Sequence, residues 1–170
     1  MAILRTLAPV GTATGRICLM RGAAIPMPPH AYVPGRDARH PEDWFDAIKA
    51  TVPSSVHVED LHDTMAWQAG LSYFNADFFW ECHEVLEAVW MQTPNPSPER
   101  EMVQAIIQLA NARLKLLMDR PRATQRLCGM VRQHLARCPV GQTILGTTTA
   151  EWITRVAKTE AVAEGQLTAL

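Results

Sequence analysis

His83, Glu84 and Glu87 stand in one short run, H-E-V-L-E, inside the aromatic-rich stretch FNADFFWECHEVLEAVW over residues 74–90. The run differs by one residue from HExxH, in which two histidines one helical turn apart hold zinc and the glutamate activates water. With Glu87 in place of the second histidine, the imidazole and carboxylate could still share a divalent metal, given a third ligand. His62 and His134 are the available candidates, and no spacing fixes either, so no metal ligand is assigned and the cofactor stays unknown, with a divalent metal left open. Without a metal, His83 and Glu87 remain a general acid–base pair in waiting. Burial would push the carboxylic acid up and the imidazole down, and their mutual attraction would oppose both shifts.

The geometry of a helix decides which of these residues meet. At about 100° per residue, Glu87 lies roughly 40° from His83, Trp80 about 60° and Glu84 about 100°, with Trp90 about 20° to the other side. His83 and Glu87 thus share a face flanked by Trp80 and Trp90, and Glu84 sits at its edge. Glu81, about 160° away, falls outside that face and reads as an ordinary solvent-facing acid. In the following segment Gln104, Gln108 and Asn111 form one polar stripe, while Val103, Ile106, Ile107, Leu109, Ala110, Leu114 and Leu117 cover the rest. The stripe is either a solvated face or a set of amides pointing across to His83 and Glu87. The candidate catalytic residues are therefore His83, Glu84 and Glu87. Trp80, Trp90, Gln104, Gln108 and Asn111 are the candidate ligand-binding residues.

The elements that would position them read as helices. Pro41, with acids after it and then Trp44, Phe45 and Ile48, suggests a first helix that Pro53 ends. A second is expected over about 59–73. Asn75 is a suitable N-cap for a third, reaching about Gln92, where TPNPSP stops it. A fourth is expected from Pro98 to about Met118, a fifth over about 121–137, and a last amphipathic one over AEWITRVAKTEAVAEG after the loop CPVGQTILGTTT. No run alternates long enough to predict a sheet. The expected fold is all-α: a single-domain bundle of five or six helices over residues 37–170, preceded by a flexible leader over 1–36. That leader has Arg5, Arg16, Arg21 and Arg36, no acid, and a proline-rich end.

Composition narrows the classes. The chain has 170 residues, is 48% hydrophobic and has a net charge of −1, which suits one folded domain. No stretch reaches the roughly 20 apolar residues that span a bilayer, so no membrane partner is expected. Cys18, Cys82, Cys128 and Cys138 form no CxxC pair, which points to reduced packing residues and a cytoplasmic location. Residues 37–101 carry thirteen acids against Arg39, Lys49 and Arg100, whereas residues 102–137 carry seven cations against Asp119. The basic half lacks the interleaved aromatics and motifs of a nucleic-acid binder, and complementary surfaces explain it better. A homo-oligomer is compatible with the sequence. His30, His40 and His57 fall in loop-like segments and read as solvated, and His134 as a surface residue. Trp44, Trp67 and Trp152 read as core.

The stretch FNADFFWECHEVLEAVW followed by QAIIQLANARLKL resembles the bacterial and archaeal domain of unknown function family 309, whose pattern is F-N-x-G-x-Y-F-E-A-H-E-x-x-E-x-x-W, then Q-G-L-I-Q-x-A. Phe74, Asn75, Glu81, His83, Glu84, Glu87 and Trp90 match, then Gln104, Ile107, Gln108 and Ala110. Asp77 stands where the pattern has Gly, Phe79 for Tyr, Cys82 for Ala and Ala105 for Gly. The family-like core covers about residues 74–135. The resemblance implies a small all-helical bundle with His83, Glu84, Glu87 and Gln108 in one site, and it implies no reaction. Two functions remain. One is a buried polar lock or interaction module without catalysis. The other is a small-molecule or metal-dependent hydrolase-like enzyme using His83 and Glu87 in a pocket between the third and fourth helices.

Overall fold

Capping and proline placement set the helix boundaries. Thr64 accepts a hydrogen bond from the Trp67 N–H and opens α2, Met65–Asn75. Ser97 does the same for the Arg100 N–H, with Pro98 in the first turn, and opens α4, Pro98–Leu117. Thr148 caps α6, Thr149–Thr168, through the Glu151 N–H. Such caps satisfy N–H groups that a first turn otherwise leaves bare. Between them lie α1, Asp46–Lys49, a 3₁₀ helix Val58–Asp63, α3, Phe79–Met91, and α5, Pro121–Ala136. The computed structural model describes residues 24–169, so 1–23 of the expected leader lie outside the described residues.

Among the described residues the fold is all-α, with six α-helices and one 3₁₀ helix. The sole sheet there is a two-residue hairpin, Thr143–Ile144 (β1) against Thr147–Thr148 (β2), antiparallel with Thr143 opposite Thr148. Its turn contains Leu145 and Gly146, both with positive φ. Two-residue strands carry too little alternation to be legible as sheet, so from its residues alone this segment reads as a loop.

Consecutive helices pack on one another, as short connections favour: α2 on α3, α3 on α4, α4 on α5, and α5 on α6, which also reaches α4. The central element is α4. Met102, Val103, Ala105, Ile106, Ile107, Leu109, Ala110, Ala112, Leu114 and Leu116 are all buried along it. Trp67 and Trp152 are buried as expected, while Trp44 is half-buried at the edge of the same core.

Three boundaries differ from expectation. The first helix shrinks to the four residues of α1, and the second divides into the 3₁₀ helix and α2 at Thr64, whose extended backbone and side-chain cap start a new helix. Asn75 does not cap α3 but ends α2, and α3 starts at Phe79 after a corner. That corner runs through Asp77 at φ 65°, in the left-handed region that glycine enters without strain. The family pattern has glycine at this position, and the backbone supplies the reason.

Residues 24–36, the end of the segment expected to be a leader, lie against the bundle. Val33 is buried and Ile25 is packed on the core. The Tyr73 hydroxyl donates to the Pro26 carbonyl at 2.5 Å. Asp37 holds a turn here by accepting from the Val33 N–H at 3.1 Å.

Candidate functional site

α3 presents two polar faces, and the residues picked out by spacing divide between them. On the face toward α4, His83 Nδ1 lies 2.8 Å from Asn111 Oδ1, and His83 Nε2 lies 3.0 Å from Glu87 Oε1. Both ring nitrogens are therefore engaged. A doubly protonated ring donates to both oxygens. A neutral ring fits equally well if the Asn111 amide is turned to donate to Nδ1. The face is not buried: the side chains of His83 and Glu87 are 29% and 55% exposed. Gln104 and Gln108 lie half-buried on α4, and neither is hydrogen-bonded to His83 or Glu87. Of the amide stripe, Asn111 alone reaches across.

Trp80 and Trp90 also part company. Trp90 is covered by the Arg100 guanidinium, 3.7 Å above the ring. Arg100 Nη1 is held there by the carbonyls of Trp90 and Thr93, at 3.3 and 3.0 Å. Trp80 instead faces the residue 30–49 side of the molecule, 5.1 Å from the Tyr32 ring and under Arg39 at 5.3 Å.

Glu81 overturns the sequence expectation. It is fully buried, not solvent-facing. Its Oε1 accepts the Tyr32 N–H at 2.6 Å and lies 2.7 Å from His40 Nε2. His40, expected to be solvated, is 5% exposed and sits among the rings of His30, Trp44, Phe45 and Trp80. The face of α3 that carries Glu81 looks free on a helical wheel because its cover comes from residues 30–45. The second carboxylate oxygen of Glu81 and the Nδ1 of His40 have no hydrogen-bond partner among the described residues. Burial first, and the Glu81 charge second, push the Tyr73 hydroxyl up to about 12 and the Cys82 thiol well above its ordinary range.

Glu84 belongs to this second face too, with its carboxylate 3.1 Å from Lys49 Nζ. Glu84, Lys49, His40, Arg39 and Trp80 line a cleft of about 740 Å³. Residues 83 and 84, adjacent in sequence, thus open onto different parts of the molecule. His134, expected at the surface, is half-buried, with Nδ1 2.6 Å from Glu101 Oε2, and has no hydrogen bond to His83, Glu87 or Asn111 among the described residues. His62 is tied locally to the Glu59 carbonyl. Among the described residues no three His, Cys, Asp or Glu side chains converge as metal ligands. No described helix is long and apolar enough to cross a membrane.

A separate cleft of about 490 Å³ lies at the corner between α2 and α3, walled by α4 and α6. Asn75 lines it and accepts from Arg155 Nη1 at 2.8 Å, which gives this residue of the family pattern a contact that spacing alone did not suggest.

No curated protein and no solved structure matches the chain. The family described as Domain of unknown function (DUF309) matches residues 67–127. Those residues hold α3 with Glu81, His83, Glu84 and Glu87, and also the Asn111 that α4 turns toward His83; over this segment the chain resembles that family of unassigned function.

Proposed function

We propose that this chain is a helical module without catalysis, in which the ionisable residues of α3 act as a polar clasp joining four parts of the molecule. One observation carries the reading: Glu81, Glu84 and His83 are each engaged by a different segment. Glu81 holds Tyr32 and His40 of the N-terminal segment, Glu84 holds Lys49 on α1, and His83 holds Asn111 on α4 while Glu87 steadies its ring. Both ring nitrogens of His83 lie within hydrogen-bond distance of protein oxygens, so its contacts are those of a clasp and no substrate is needed to account for them. That arrangement argues against the hydrolase-like alternative through His83 and Glu87.

A double-mutant cycle of His83→Ala and Asn111→Ala tests the clasp. The expected coupling is about 0.5–1.5 kcal/mol, the range for a partly wet hydrogen bond. A coupling near zero, with both single variants as stable as wild type, would remove the clasp reading.

A further inference from the structure

We propose that the cleft at the α2–α3 corner binds a small dianion carrying a phosphoryl group, a function independent of the clasp. Three cations, Arg113, Arg155 and Lys158, line it against two carboxylates, Asp77 and Glu151. The cations differ in how they are held, and the difference suits a ligand. Arg155 lies over the Phe74 and Trp152 rings at 5.4 and 4.9 Å, while Asn75 Oδ1 and Glu151 Oε1 accept from its two terminal nitrogens at 2.8 and 3.1 Å. Each of those nitrogens carries a second N–H, and Nε carries another, so the oriented fork keeps donors in reserve.

Arg113 lies over Phe79 at 5.2 Å. Phe74 and Phe79 are themselves edge to face, with centroids 5.5 Å apart, so the two guanidinium groups rest on neighbouring rings. Lys158 is exposed and has no ion pair among the described residues. Planar forks with a mobile ammonium beside them match the three oxygens of a phosphoryl group better than a single carboxylate.

Asp77 is the chain's own stand-in for that anion. Its carboxylate, 68% exposed, meets Arg113 through one contact of 3.5 Å, which a dianion can replace at little loss. A glycine here, as in the family pattern, would leave Arg113 without this counter-ion. The size of the cleft favours a small molecule, since about 490 Å³ falls within the roughly 300–1,000 Å³ of ligand pockets. Phe74 and Phe79 are buried, so they offer no open ring face for stacking bases.

The test is calorimetric titration of the full chain with inorganic phosphate and with pyrophosphate in low salt, at about pH 7.5, where the second phosphate proton is lost. Saturable one-to-one binding is expected. Lys158→Gln, at an exposed position where folding is not at stake, and Arg155→Gln should each weaken it about tenfold, and Asp77→Gly should tighten it. Absence of saturable binding of both probes to wild type overturns the proposal. So does binding that Lys158→Gln and Asp77→Gly leave unchanged. A single-stranded oligonucleotide that binds more tightly than pyrophosphate, with a steep salt dependence, would replace the small dianion by a polymer and overturn it as well.

Discussion

His40 Nε2 lies 2.7 Å from Glu81 Oε1, and both side chains are shut away from solvent at 1% and 0% exposure. The same oxygen also takes the Tyr32 N–H, so one carboxylate secures two points of the N-terminal segment. A buried carboxylate persists only when donors replace the water it has lost. Here those donors come from residues more than forty positions upstream on the chain. The bond is thus a long-range fastening that joins residues 32–40 to α3.

Removing Glu81 should therefore cost far more than removing the charge of Glu87. Glu81→Ala leaves the Tyr32 and His40 donors buried without an acceptor, and a loss of about 3–5 kcal/mol is expected. For Glu87→Gln, where the carboxylate is 55% exposed, the expected loss is under about 1 kcal/mol. Urea midpoints of the two variants decide it, provided the slopes match wild type. Equal losses would show that exposure does not rank these two groups.

Asp77→Gly should raise stability by up to about 1 kcal/mol, because glycine relieves the left-handed strain and the weak pair with Arg113 offsets little. The strain is read from φ at 65°. The same midpoint measurement applies. A fall of more than about 1 kcal/mol would mean that the Arg113 contact outweighs the backbone.

Gly70 has a different reason to be glycine. It lies inside α2, where alanine is ordinarily better by about 1 kcal/mol. A Cβ at Gly70 would collide with the Leu86 side chain, where α2 meets α3. Gly70→Ala should lower stability by about 1–3 kcal/mol through overpacking. In a Leu86→Ala background, itself destabilised by the cavity it leaves, the same Gly70→Ala substitution should cost less than it does in wild type. A stabilised Gly70→Ala variant would show that the helices part freely.

Acid should weaken the α4–α5 and α5–α6 contacts. Burial pushes the Glu101 carboxyl up, but hydrogen bonds from His134 and Arg137 outweigh it and leave the group below its ordinary 4.5. The Arg132 guanidinium holds Glu160 below 4.5 in the same way. A carboxyl depressed in the folded state takes its proton later than in the unfolded chain. Its stabilisation is thus complete above the unfolded value and is lost as pH falls through the folded one. Denaturant midpoints measured downward from about pH 5 should decline, and a Glu101→Gln/Glu160→Gln double variant should decline less steeply. An identical decline would assign acid sensitivity to other groups.

By itself the sequence determined the helical class, the bounds of α4 and α5 to within a residue or so, and the face that joins His83 to Glu87. These are local matters: proline and serine at helix starts, proline after helix ends, and a fixed rotation per residue. Asn111 was legible as one of three candidate amides, but not as the one that reaches His83. Only the tertiary structure decided what covers each side of α3. The wheel sets Glu81 opposite His83 and makes it look solvated, because a wheel has no knowledge of residues 30–45. Once that segment and α1 fold over α3, Glu81 becomes the most buried acid among the described residues, His40 becomes its partner, and Glu84 turns to Lys49. The physical reason is that burial of a polar group depends on donors supplied from far along the chain, and helical periodicity carries no record of where those donors arrive.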